Sequence, residues 1–226
     1  MACGNEHAKK RRVSIGDPVN ASALVLCFRI VTPELCVAIL AGGQSRRMGF
    51  NKALVQVSGR PLIENLADHA RLLSNQILIC TNDPESYAFL KLPVVCDVFP
   101  GQGPLAGLHA ALAHTQRPLV LLLACDLPNA DDTLWSRLVA CAEGYDAVIP
   151  RTSDGRVHPL TAVYRQTCLP VAEANLRCGI NKVIDLFRSS PLRVNWLNAT
   201  EGRFHDSQFD NLNTPEDLAR VFPPKE

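Results

Sequence analysis

From residue 35 onward, short apolar runs alternate with amphipathic stretches. CVAIL (residues 36–40) reads as a buried strand, and residues 61–73 place Leu62, Ile63, Leu66, Ala70 and Leu73 on one helical face. QILIC (76–80) and the shorter VVC (94–96) read as further strands. Residues 104–114 predict a helix with proline in its first turn. PLVLLLA (118–124) is apolar without alternation, the mark of a strand covered on both faces. A helix over 131–141 begins at an aspartate N-cap, Asp131. Strands over 146–149 and 159–164, helical turns over 167–176 and 182–188, and an extended 192–194 follow. A last helix over 214–221 has Thr214 as N-cap and Pro215 in first position. This succession predicts an open, mostly parallel α/β sheet with helices on both faces.

Such sheets bind ligands at the carboxyl ends of their strands, where the strand order reverses. Two predicted strands end in polar chemistry. The first runs directly into LAGGQSRRMGFNKAL (40–54). Gly42 and Gly43 let the backbone approach a ligand closely, and N–H groups in such a turn converge on anions. Arg46, Arg47 and Lys52 add fixed positive charge, arginine in a form that grips phosphate oxygens in pairs. Together these features describe a polyphosphate cradle. It is neither a P-loop, since Phe50 and Asn51 follow Gly49, nor a GxGxxG turn.

The PLVLLLA strand ends in Cys125-Asp126-Leu127-Pro128. A carboxylate at a strand end beside a phosphate site is where Mg²⁺ is held, through one or two carboxylates plus phosphate oxygens, although aspartate is also a common turn residue. Asp97 likewise closes VVC ahead of the Gly/Pro-rich 99–107, with an ordinary turn aspartate as the competing role. His158, before Pro159 at a loop–strand junction and near Arg156, suits contact with an acidic or heterocyclic substrate, or plain solvation and backbone bonding.

Composition narrows the class. The 226 residues suit one large domain or a domain with an appendage, and 47% hydrophobic against 20% charged residues supplies a sizeable core. A formal net charge of +1 argues against a nucleic-acid binder working by bulk electrostatics. Nine cysteines include no CxxC pair, so they read as reduced, buried thiols rather than a zinc or disulfide framework. No run reaches the roughly 20 apolar residues of a membrane span, so the chain is expected to be cytoplasmic. Residues 1–34 carry no motif beyond KKRR (9–12). They read as a poorly ordered N-terminal extension, or as an artefact of a start site that truly lies around residues 31–35, ahead of a 35–226 domain.

The segment 40–54 is similar to the LAGGxSxRMGxDKAL signature of the molybdenum cofactor guanylyltransferases, the MobA family. SGRPLIE (58–64), GPLAGLHAAL (103–112), CDLP (125–128), RVHPLTAVY (156–164) and NLNTPEDL (211–218) resemble the family's later blocks in the same order. The resemblance implies a Rossmann-like three-layer nucleotidyltransferase fold. It further implies transfer of GMP from GTP to molybdenum-loaded molybdopterin with release of pyrophosphate, and a requirement for Mg²⁺. By motif, Leu40, Ala41, Gly42 and Gly43 would line the GTP site, Lys52 would contact phosphates, Asp97 would bind GTP, and Asp126 both nucleotide and metal. Arg47 would hold pyrophosphate, and His158 and Asn213 would face the pterin.

One position departs from the pattern: Asn51 stands where the family commonly has aspartate. Related pterin cytidylyltransferases carry asparagine there, so CTP remains an alternative substrate, with a sugar-nucleotide pyrophosphorylase and a non-catalytic molybdopterin carrier further away. Expected partners are GTP and molybdenum-molybdopterin, with transient contact to cofactor-synthesis proteins or apo-molybdoenzymes, and neither nucleic acid nor membrane.

Overall fold

The computed structural model describes residues 32–42, 51–57, 59–127, 131–188, 190–210 and 217. Nine strands and five α-helices lie among them. The strands are β1 (Leu35–Leu40), β2 (Gln56–Val57), β3 (Arg60–Pro61), β4 (Ile77–Cys80), β5 (Val94–Val95), β6 (Leu119–Ala124), β7 (Ala147–Arg151), β8 (Thr161–Arg165) and β9 (Val194–Asn198). The helices are α1 (Leu62–Ala70), α2 (Gly103–His114), α3 (Asp132–Ala140), α4 (Leu169–Arg177) and α5 (Ala199–Gly202).

Seven strands form one sheet in the order β5-β4-β1-β6-β8-β7-β9, and β2 pairs with β3 in a separate hairpin. β1 runs parallel to β4 on one side and to β6 on the other, and β4 parallel to β5. β8 is antiparallel to both β6 and β7, and β9 resumes parallel pairing with β7. The expected mostly parallel three-layer α/β fold is therefore present. The chain builds outward from β1 through β4 to β5, then returns to lay β6 on the other flank of β1. The β1/β6 junction is the point where strand order reverses, and in open α/β sheets ligands bind at the carboxyl ends beside such a junction.

Alternation along β1 sorts its side chains between two cores. Leu35, Val37 and Ile39 pack with Ile63 and Ala67 of α1 and with Leu134, Trp135 and Leu138 of α3. Cys36 and Ala38 face the opposite layer, with Leu105, Leu108 and Leu112 of α2 and Ala172 and Leu176 of α4. Small residues on that face let α2 sit close. A Cβ added at Gly107 would lie 2.6 Å from Leu40 Cδ2, so only glycine accommodates this contact without a shift. The Gln166 amide then ties the layer down, donating to the carbonyls of Leu112, Thr115 and Arg117 at 3.0–3.2 Å.

Several expected boundaries move. The helix over 61–73 ends at Ala70, and the turn over 182–188 is a 3-10 helix, Val183–Phe187. The extended 192–194 is the beginning of the five-residue β9. The thiols divide rather than all being buried: Cys36, Cys80 and Cys168 are buried, Cys125 and Cys141 partly so, and Cys96 and Cys178 are exposed. Cys96 follows a two-residue edge strand and Cys178 caps α4, and neither place is covered by another element. The helix expected over 214–221 and the extension over 1–31 fall outside the described residues. Among the described residues, no helix is long and apolar enough to cross a membrane.

Candidate active site

The sheet order brings the polar strand exits onto one rim. In register, Leu40 at the end of β1 lies opposite Ala124 at the end of β6, so Ala41–Gly42 and Cys125–Asp126 leave the sheet side by side. Leu40 also pairs with Cys80, and the Ala41 N–H donates to the Cys80 carbonyl at 3.0 Å, so the β4 exit at Thr81–Asn82 runs along the other flank. Asp97 follows β5, one strand further out. Because β8 is antiparallel, its beginning reaches the same rim beyond β6, with Thr161 opposite Leu123. Asp97 and Asp126 thus stand three strand spacings apart, roughly 14 Å.

Gly42 is exposed, and a Cβ built there would sit at ordinary contact distances, 3.7 Å from Thr81 Cα and 3.8 Å from the Cys80 carbonyl. Among the described residues nothing demands glycine at this position; what it offers is open backbone at the end of β1. Gly43, Arg46, Arg47 and Gly49 lie outside the described residues, as does Asn213. Past them, Asn51 caps the 3-10 turn Lys52–Leu54, its Oδ1 accepting from the Ala53 N–H at 3.1 Å. The Asn51 Nδ2 donates to the Tyr87 hydroxyl at 2.8 Å, and that hydroxyl donates to the Ala41 carbonyl at 2.6 Å.

Asp126 is half-buried at the rim, and its electrostatics follow from that placement. Burial pushes its carboxyl above the usual carboxylate range, while the Lys52 ammonium and a backbone hydrogen bond pull it back. Lys52 and Asp126, 74 positions apart in sequence, therefore act on one another at this rim. A carboxylate whose charge is penalised by burial is stabilised by an arriving cation. Among the described residues no three His, Cys, Asp or Glu side chains gather into a metal cage. The donor set fits a hard divalent cation held through one carboxylate, with phosphate oxygens and water completing its shell. Nucleotidyltransferases of this kind generally use a divalent metal.

Asp97 is clasped at two points, its N–H donating to Asn82 Oδ1 at 2.9 Å and its Oδ2 accepting from Asn82 Nδ2 at 2.8 Å. Asn82 escaped the sequence reading, although the reasoning that selects Asp126 also applies to a polar residue two positions past β4. His158 both bonds through its backbone and presents its ring: its N–H donates to the Pro150 carbonyl at 3.0 Å, and the ring stacks on Phe209 at 4.2 Å. Burial and Arg156 lower its pKa, favouring the neutral imidazole.

The parallel sheet with a reversal at β1/β6, the open glycine exit and the opposed Lys52 and Asp126 define a Rossmann-like nucleotidyltransferase domain. Residues 37–192 match the model of the MobA-like NTP transferase domain, and the chain belongs to that family. It is 39% identical over 197 residues to the "probable molybdenum cofactor guanylyltransferase" of Carboxydothermus hydrogenoformans, covering 85% of this chain and 99% of that one. It is 32% identical over 188 residues to the molybdenum cofactor guanylyltransferase of Desulfosudis oleivorans, covering 81% and 92%. Among solved structures it resembles molybdopterin-guanine dinucleotide biosynthesis protein A of Archaeoglobus fulgidus, at 28% identity and a TM-score of 0.69, covering 82% of this chain and 96% of that one.

Proposed function

We propose that this chain is a molybdenum cofactor guanylyltransferase, joining the GMP unit of GTP to the terminal phosphate of molybdenum-loaded molybdopterin and releasing pyrophosphate. The observation that carries the reading is the pairing of the open Ala41–Gly42 exit with Asp126 across the β1/β6 junction, in a chain whose curated relatives carry that name over nearly their full length. The catalytic unit is residues 35–226, acting in the cytoplasm.

The nucleophile, a phosphate oxygen, is already anionic near neutral pH, so no strong general base is needed. The difficulty is bringing two anions together and accommodating the charge that grows on pyrophosphate, a task for positioning and fixed charge. The backbone of Leu40, Ala41, Gly42 and Gly43 would line the triphosphate, with Lys52 and Arg47 facing the departing phosphates. Asp126 would hold Mg²⁺, which supplies charge neutralisation at the phosphates when bound. Asp97, fixed by Asn82, would orient the nucleotide at the far end of the row. His158 and Asn213 would meet the pterin, the first offering a neutral ring stacked on Phe209.

Incubation with molybdenum-loaded molybdopterin, Mg²⁺ and labelled GTP or CTP tests this. The guanine dinucleotide and one pyrophosphate per turnover are expected from GTP. Preferential product from CTP would make the chain a cytidylyltransferase, and product from neither nucleotide would overturn the reading.

A further inference from the structure

The Tyr87 hydroxyl joins two stretches of chain that lie far from it in sequence. It donates to the Ala41 carbonyl, 46 positions away, and accepts from Asn51, 36 positions away. Ala41 and Asn51 stand on opposite sides of the glycine- and arginine-rich segment, one just before Gly42-Gly43 and the other just before Lys52. We propose that Tyr87 and Asn51 form a positioning pair that staples the two flanks of the nucleotide loop together and so sets its grip on the triphosphate. The proposal deepens the nucleotidyltransferase reading and rests on it for the identity of the ligand.

The donor and acceptor inventory makes the pair specific. A phenol has one proton to give, and here it goes to the main-chain carbonyl of Ala41. Its oxygen then needs a donor rather than an acceptor. Asn51 supplies one, and the orientation of its amide is settled by the other end: the Ala53 N–H must face Oδ1, which leaves Nδ2 toward Tyr87. Aspartate, common at this position in the family, would cap Ala53 equally well. It would then present a second acceptor to Tyr87 and compete with Ala41 for the single proton. One end of its amide is engaged on Ala53 and the other on Tyr87, which gives the departure from the family pattern a positioning role at the loop flank.

The staple is also anchored. Tyr87 is 1% exposed, on the 3-10 turn Glu85–Leu90, and packs in the same core as Ile39, Ala41 and Ala53. Burial raises its hydroxyl pKa, only partly offset by the Asn51 hydrogen bond, so the proton stays in place through the neutral range.

Two variants separate the staple from simple support. Tyr87→Phe keeps the buried ring and removes the hydroxyl; Asn51→Asp keeps the Ala53 cap and removes the donor. In the full chain without ligand, hydrogen exchange in peptides covering 40–54 should quicken in both, while β6 peptides stay as in the parent. By calorimetry with Mg²⁺, GTP affinity should fall roughly two- to tenfold in either variant, the scale of one hydrogen bond, and no further in the double variant. Lowering the pH toward the carboxyl pKa, about 4, should bring the ligand-free exchange of Asn51→Asp back to that of the parent at the same pH but leave Tyr87→Phe faster, because a protonated carboxyl donates again. Unchanged exchange and affinity in both variants, multiplying penalties in the double variant, or an Asn51→Asp defect indifferent to pH would each overturn the staple. Because exchange is read without ligand, a parent protein that fails to form the dinucleotide would sink the functional reading alone.

Discussion

At the scale of single residues, Asp126 works against stability, and the Lys52 ammonium offsets part of that cost. The Asp126 carboxyl is harder to ionise in the folded chain than in the unfolded one, chiefly through burial. Between the two pKa values the native state therefore binds more protons, and stability falls as pH rises through that window. Above it the cost is fully present. Asp126→Asn should then do two opposite things: abolish dinucleotide formation, and raise the midpoint of thermal unfolding of the metal-free protein at pH 7. A lower midpoint by calorimetry would contradict the electrostatic account. Lys52→Ala should lower kcat/KM by more than tenfold, about 1.4 kcal/mol or above. With the Lys52 charge gone, Asp126 becomes harder still to ionise, so the acid limb of the pH–rate profile should move to higher pH. An unmoved limb would separate the two residues. That Lys52 comes near Asp126 was legible in the sequence, because the segment bearing Lys52 leaves β1 and Asp126 leaves β6, two neighbouring parallel strands that end on the same rim. The Asn51–Tyr87–Ala41 link was not legible: a lone tyrosine in an irregular stretch gives no local sign of its distant partners.

At the scale of elements, legibility followed length and punctuation. β1, β6, α2 and α3 were plain because long apolar runs or helical spacing met strong boundary residues. Asp131 illustrates this. Its side chain accepts from the Leu134 N–H at 2.9 Å, as expected of an N-cap, and Gln208 Nε2 also reaches it at 3.3 Å. The two-residue strands β2 and β3 and the 3-10 turn Lys52–Leu54 are too short to show any period and became visible only through their contacts. The cap residue Asp131 stands five positions after Asp126, so it holds one end of the chain leaving the carboxylate proposed for the metal. Asp131→Ala should cost about 1 kcal/mol in chemical denaturation. For a chain of this size that is a fall of roughly 2–4 °C in melting temperature. A cost far below this would mean that solvent or another group already satisfies the first turn of α3.

At the scale of the whole molecule, one antiparallel strand changes what the sheet can do. With β8 inverted, the segment that enters it carries His158 to the rim where β1, β4, β5 and β6 end, rather than to the opposite edge. One edge of the sheet thereby gathers the groups proposed for the nucleotide and for the acceptor, Asp97 and His158, with Asp126 between them. The stacked His158–Phe209 pair further ties this rim to the turn Asp206–Phe209, near the C-terminal end of the described chain. The sequence could not show the inversion, because an apolar strand has the same pattern in either direction. Since the site draws on exits from strands spread across the sheet, ligand binding should be felt by the whole fold. GTP with Mg²⁺ at a hundredfold excess over its Kd should stabilise the chain by about 2.7 kcal/mol. At roughly 2–4 °C per kcal/mol for a chain this long, the melting temperature should rise by about 5–10 °C. In Asp126→Asn the magnesium-dependent part of that rise should vanish, although its ligand-free midpoint is the higher one. An equal rise in both proteins would mean that the cation is held elsewhere, and Asp126 would lose its place at the centre of the row.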